Sequence, residues 1–393
     1  MTAEVSLWAY PWDLHDIGLD LASERMRGAG VNMVSVATSY HAGRFLQPGK
    51  PRCRVYFPED GTVYYRPDPA IWAGHEIRPL MARIVEGEGD MLDALVRRRD
   101  AGGMGVSCWT VCLNNTRLGM LHPGHVMRTA HGDPHSYALC PSSPAARAYV
   151  TTMAAEIGTR YRPDRIELES PDFMGFAHGF HHEKDGLGLL PEDEFLLGLC
   201  FCDHCLNRAT AAGVPIKEAR RTVAGLLDAA FSRELPQAAF PDFPAKGLDS
   251  FAGLPALRAF LDWRPEPVTS LIAEIRAATP PGTRLLLIDA EGTRSSGINL
   301  PSIVPHVDGI LHCAYFTDVV RIGPLMAATR TLLGADRTLI AGFQLFHPNL
   351  RNRADLEGRV GHAIAHVNGF NFYNLGLVPP ARLDWIRSAL GPN

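Results

Sequence analysis

Two kinds of apolar pattern alternate along this chain. The first is short and nearly continuous: Val5–Tyr10, Asn32–Thr38, Met104–Thr110, Arg165–Ser170, Thr283–Ala290, Ile310–Phe316, Thr338–Phe346 and Gly369–Leu375. Runs of this kind read as strands buried on both faces. The second is longer and helically spaced. It covers Asp13–Arg27, ended by Gly28 and Gly30; Asp90–Arg99, closed by Gly102-Gly103; and Ser143-Pro144 onward to Tyr161. It recurs at 206–233, at Leu254–Ala278 with a break at Pro265 and Pro267, and at 319–334 and 352–367. Strands alternating with helices predict a parallel sheet, and eight such units predict closure. The fold expected is α/β, a (β/α)8 TIM barrel. A doubly wound sheet would carry a Gly-rich phosphate turn after its first strand, and Tyr10-Pro11-Trp12 is not one.

The pattern leaves room for insertions after strands 2, 3 and 4 of a single barrel domain spanning 1–393. Residues 45–80 are proline-rich, and Asp60-Gly61 between two β-prone runs of Arg54–Arg66 predicts a hairpin. The third strand is followed by Asn114, Asn115, His122, His125 and His131 in a long polar loop, uncommon unless functional. Residues 171–250 form a cysteine-bearing helical insertion that ends in a Pro/Phe/Gly linker at 236–250.

Composition narrows the class of partner. The 393 residues are 46% hydrophobic and 20% charged, ordinary for a globular chain with a large core. The net charge of −4 comes without a basic block, which argues against nucleic acid. No apolar run approaches the roughly 20 residues a membrane span needs. Met1-Thr-Ala-Glu-Val-Ser has neither the charged nor the apolar region of a signal peptide, so the cytoplasm is the expected location. Whether the chain forms a homo-oligomer is left open.

Acids at the ends of strands carry the candidate chemistry. Glu167 and Glu169 lie two apart on the fourth strand and so face the same way. Glu169, nearer the carboxyl end, is expected at the barrel mouth, where such folds build active sites. Asp289 and Glu291 close the fifth strand. Two carboxylates across the mouth suit glycoside cleavage, with separations of roughly 5–5.5 Å for retention and roughly 6.5–9.5 Å for inversion. Tyr40, His41 and Arg44 after the second strand, and Asn114 and Asn115 after the third, lie on the face where substrate is expected. The aromatic residues Trp8, Tyr10, Trp12, Trp109, Tyr315, Phe346 and Tyr373 fall near strand ends, where rings can stack on sugar C–H faces.

Two clusters suggest metals. Cys200-x-Cys202-x-x-Cys205 offers three thiolates too close together to pair sensibly as disulfides, so structural zinc is the better reading. The fourth ligand is expected to be Cys140, with Cys112 and then His204 as alternatives. Cys53, Cys108 and Cys313 read as ordinary core or near-core cysteines. His178, His181, His182 and Glu183 lack the spacing of a helical HExxH site, and Gly179 and Gly186 make theirs a loop. Hydrogen bonding to substrate suits these histidines better than a catalytic metal.

With these residues in view, the chain resembles the family 42 β-galactosidases and related clan A glycoside hydrolases. The resemblance rests on Cys140-Pro-Ser-Ser-Pro144 opening a helix, on Glu169 ending the fourth strand, and on the Cys200/Cys202/Cys205 cluster. Gly369-Phe-Asn-Phe-Tyr-Asn-Leu-Gly376 is similar to the eighth strand of such barrels. The resemblance implies Glu169 as acid/base, a zinc held by the four cysteines, and a carbohydrate or glycoside substrate. Two departures stand out. Leu168 replaces the family's Asn before the acid/base Glu, and the seventh strand ends in Gln344 and His347 where the family carries its nucleophilic Glu. The second carboxylate is therefore expected from Asp289 or Glu291. Two rivals share the same barrel: a metal-dependent lyase or isomerase using His178, His181 or His182, and a sugar-binding barrel without catalysis.

Overall fold

The structure, a computed structural model, describes residues 3–177, 183–290 and 293–391. Eight strands form its core: β1 (Glu4–Ala9), β2 (Met33–Tyr40), β3 (Gly105–Val111), β4 (Arg165–Glu169), β5 (Arg284–Ala290), β6 (Gly309–Cys313), β7 (Thr338–Gln344) and β8 (Gly369–Tyr373). Each pairs in parallel with the next, and β1 pairs with both β2 and β8, which closes the sheet. The result is the (β/α)8 barrel that the alternating pattern predicts.

The alternation of side chains explains why these strands read as continuous apolar runs. On β5, Leu285 and Leu287 join the outer core beneath the helices, while Leu286 and Ile288 join the inner one. A strand covered on both sides has no face turned to solvent. Helices such as Pro144–Arg160, Pro265–Ala278, Val319–Leu333 and Arg353–Ala363 supply the outer cover.

The barrel floor is polar and closed. Glu167 accepts hydrogen bonds from Trp8 Nε1 (2.7 Å), Ser35 Oγ (2.7 Å), Ser107 Oγ (2.8 Å) and Arg165 Nε (2.8 Å), and its ion pair with Arg165 Nη2 spans 2.6 Å. Ser6 accepts from both Arg165 Nη2 and Asn371 Nδ2 at 2.9 Å. All these residues are buried, so their polar atoms need partners inside the protein, and the staves supply most of them to one another; Asn371 Oδ1 has no hydrogen-bond partner among the described residues.

Several expected elements differ in detail. The helix expected at Asp13–Arg27 is two, Pro11–Ile17 and Leu19–Gly28, because Gly18 takes φ +86 between them. The β-prone runs around Asp60-Gly61 do not pair with each other. Phe45–Leu46 pairs with Val55–Tyr56, and Thr62–Val63 pairs with Ser39 and Tyr40 at the end of β2. The barrel edge offers Thr62–Val63 a better-buried partner than its neighbour in sequence does. The polar stretch after β3 is structured, with a helix at Thr116–Leu121 and paired strands Val126–Arg128 and Pro134–Leu139. Among the described residues no helix is long and apolar enough to cross a membrane.

Candidate active site

Glu169 is the last residue of β4, and it faces a cavity of about 320 Å³ at the carboxyl ends of the strands. That volume lies at the small end of ligand pockets. Aromatic rings from five strands or their following loops wall it: Trp8, Tyr40, Trp109, Tyr315 and Tyr373. Trp8 stacks on Trp109 at 4.8 Å, and Tyr373 meets both edge-on. Behind them Tyr10 ties the wall together, its hydroxyl 2.7 Å from that of Tyr373 and 3.0 Å from that of Tyr40.

Tyr40 reaches this wall through an irregularity. The β2–β3 register shifts between Ala37 and Ser39, so Ala37 and Tyr40 both join the inner aromatic cluster although an odd number of positions separates them. A bulge re-aims a side chain in this way.

Two carboxyl groups among the described residues line the cavity. Glu169 accepts from Trp109 Nε1, its hydrogen-bond donor among the described residues. Burial raises its pKa, against the opposing pull of the His41 charge and of the Trp109 hydrogen bond. Asp172, three residues further on, accepts from Ser296 Oγ, and burial pushes it up to about 7. Between them Ser170 takes φ +51, a conformation that L-residues rarely adopt and that concentrates at functional sites. The turn is held from outside, as Leu113 N donates to Ser170 O (3.1 Å) and Phe173 N to Ser296 O (3.1 Å).

The other expected site residues divide. Tyr40, Trp109, Tyr315 and Tyr373 line the cavity. Asp289 does not. It shares the outward parity of Leu285 and Leu287, and its carboxylate lies 3.4 Å from His312 Nδ1, which sits beside Thr329 of an outer helix. Asn115 caps the helix Thr116–Leu121 and donates to Gly61 O, and Asn114 is buried with a bridge to Ala138, so neither faces the cavity. His41 stacks on Tyr40 at 4.3 Å, Arg44 is exposed, and Gln344 accepts from Asn349. None of these three lines the cavity. His178, His181, His182 and Glu291 lie outside the described residues. Asp172 escaped the sequence reading although it is an acid just past the end of β4, because attention to strand termini passes over the turn that follows.

The cysteines converge. Cys140, Cys200, Cys202 and Cys205 are all buried, with their sulfurs within 4.8 Å of one another. Cys140 Sγ lies 3.5 Å from Cys205 Sγ, 3.8 Å from Cys200 Sγ and 3.5 Å from Cys202 Sγ. Four thiolates at about 2.3 Å around a tetrahedral ion stand about 3.8 Å apart, so the donor set fits a metal, and the spacing is far too long for a disulfide. Burial pushes the Cys140 and Cys205 thiols up, while hydrogen bonds from its three neighbours pull Cys202 down. Of the alternatives, Cys112 hydrogen-bonds to Thr110 O and His204 stacks on His125. Cys108 and Cys313 are buried and Cys53 is exposed; Cys313 lines the cavity.

A ring-walled cavity with two raised carboxyls thus lies at the mouth of a (β/α)8 barrel. No family model matches the chain, and neither does any curated protein sequence. Solved structures do. An α-L-fucosidase isoenzyme 2 from Paenibacillus thiaminolyticus superposes with TM-score 0.55 at 15% identity, covering 99% of this chain and 49% of that one. The β-galactosidase of the psychrophilic Marinomonas ef1 gives 0.56 at 13%, covering 98% and 59%. The β-galactosidase of the Antarctic haloarchaeon Halorubrum lacusprofundi gives 0.57 at 12%, covering 98% and 57%. The chain thus spans about half to three-fifths of the length of these proteins, and at such identities the likeness is one of fold.

Proposed function

We propose that the chain is a glycoside hydrolase, with Glu169 as general acid and Asp172 as the second carboxylate. The observation that carries this reading is the position of Glu169: a carboxyl with raised pKa, facing a ring-walled cavity at the carboxyl ends of the strands. A group meant to protonate a leaving oxygen must hold its proton to higher pH than an ordinary carboxyl does, and burial shifts Glu169 in that direction. Asp172, pushed up to about 7, passes between its two forms near that pH and suits the role of base or nucleophile. The rings of Trp8, Trp109 and Tyr373 offer flat apolar faces to a pyranose and keep water out. The names of the structural neighbours, a fucosidase and β-galactosidases, point to the same substrate class.

In this scheme Glu169 gives its proton to the glycosidic oxygen as the bond to the anomeric carbon breaks. Asp172 either takes a proton from the attacking water or adds to the anomeric carbon. Asp172 stands where a strand-five acid was expected, since Asp289 faces the outer helices.

Zinc held by Cys140, Cys200, Cys202 and Cys205 belongs to the same proposal. When bound, it supplies a cross-link between the Cys140 segment and the helix Asp203–Ala211. Elemental analysis of the purified protein is expected to give about one zinc per chain, and Cys202→Ser together with Cys205→Ser to abolish it.

The test of activity is a panel of aryl glycosides with wild type and Glu169→Gln. Turnover of at least one substrate is expected, falling by about 10²–10⁴-fold in the variant. Sugar binding without turnover by wild type would favour the non-catalytic barrel, a rival kept alive by β7 ending in Gln344 rather than an acid.

A further inference from the structure

A second cavity of about 260 Å³ adjoins the first. The two share Phe173, Met174, Gly175 and Ser296, so they form one cleft with a waist at the turn after β4. The inner compartment is built by the barrel. The outer one is roofed by the insertion: Pro191, Glu194 and Phe195 of the helix Pro191–Leu197, and Phe243 of the short helix Phe243–Lys246. Phe195 and Phe243 lie 5.3 Å apart, and both are half-buried, leaving ring surface toward the cavity.

Its polar groups are balanced in charge. Arg264 is 3% exposed, stacks over Phe173 at 4.8 Å, and donates from Nη1 to Ser295 O. Its Nε is buried and has no partner among the described residues. Glu194 lines the same cavity. A buried guanidinium N–H without an acceptor asks for one from a ligand. An anionic ligand would meet both the Glu194 carboxylate and, across the waist, Asp172. A neutral ring carrying hydroxyls can accept from Arg264, donate to Glu194 and lay an apolar face on Phe195 or Phe243.

We propose that the outer cavity is a second ring-binding subsite, which takes a neutral pyranose unit next to the one in the inner cavity, so that the substrate is a disaccharide or longer. This rests on the hydrolase reading for the identity of the inner site but not for its own test. The segment that carries the cysteine cluster then sets which second unit is accepted, while the barrel sets which first unit is.

The experiment is calorimetric titration of Glu169→Gln with matched pairs. Each pair is a methyl glycoside and a disaccharide with the same non-reducing ring, in galactose, glucose, fucose and N-acetylglucosamine series. In the series that binds, the disaccharide is expected to bind at least tenfold tighter. Phe243→Leu in the same background is expected to remove that advantage and leave the methyl glycoside unchanged. Phe176→Ala, at a residue that lines the outer cavity and is 39% exposed, serves if Phe243→Leu fails to fold. Equal affinity within every pair, an advantage that survives both substitutions, or no binding of any pair overturns the inference. A retained advantage with no turnover by wild type overturns the hydrolase reading alone.

Discussion

Glu167 and Glu169 are the same residue type, on the same strand, facing the same side, and the protein treats them in opposite ways. Glu167 lies at the floor and receives hydrogen bonds from two serines, an indole and the Arg165 guanidinium. Glu169 lies one pleat nearer the mouth, has the Trp109 N–H, and looks into a cavity. One acid is saturated by its neighbours and the other is left short of them. A satisfied buried charge holds a fold together; an enclosed and under-satisfied one is available for chemistry. The largest expected effect separates the two. Glu169→Gln should cost about 10²–10⁴ in turnover and nothing in stability. The sign follows from its raised pKa, which makes the ionised form a burden on the folded state above the ordinary carboxylate range, and the neutral amide removes that burden. Glu167→Gln should instead cost about 3–5 kcal/mol in denaturant unfolding, because it leaves Arg165 charged and buried with Glu4 alone of its two carboxylate partners. Equal stability losses in the two variants would break the comparison.

Asp172 sharpens it. Its folded pKa of about 7 lies above the ordinary value of 3.8 for such a carboxyl, so it binds its proton more tightly in the native state. That contribution to stability is fully present below about pH 4 and is lost as pH rises through about 7. A shift of this size corresponds to a few kcal/mol at most. Asp172→Asn should therefore flatten the fall in stability between pH 4 and 7, as read from urea midpoints at each pH. Unchanged pH dependence in the variant would show that Asp172 is solvated and not poised.

The barrel was legible because its evidence is redundant. Eight apolar runs separated by helical periods repeat one message, and a boundary wrong by two residues, as at Phe346, does not alter it. The four cysteines were legible through their spacing and the Cys-Pro segment. The cavity was legible in part. Trp109, Tyr315 and Tyr373 lie at strand ends, where strict alternation predicts the facing correctly. Tyr40 faces inward by virtue of a register shift that no pattern of residue types records. Asp289 misled because it ends a strand as Glu169 does, and only the parity of Leu286 and Ile288 shows that it points outward. Asp172 lies in a turn whose path depends on Ser170 at φ +51 and on a hydrogen bond to Ser296, more than 100 residues away. Local sequence carries no trace of either.

The smallest expected effect concerns the one side-chain hydrogen bond that Glu169 accepts among the described residues. Trp109 Nε1 donates to its carboxylate, and a donor to the ionised form lowers the pKa. Trp109→Phe keeps a ring in the wall against Trp8 and removes the donor. The proton then stays on Glu169 to higher pH. If Glu169 is the acid, the alkaline limb of the pH–rate profile moves upward, while the maximal rate falls by about tenfold or less, the scale of one lost hydrogen bond of roughly 1 kcal/mol. An acidic limb that moves upward, with the alkaline limb unmoved, would mean that the group must be ionised to act, and would exchange the roles of Glu169 and Asp172. The floor offers the matching control. Ser107→Ala removes one of the several donors to Glu167, costs about 1 kcal/mol of stability, and leaves the pH–rate profile where it was.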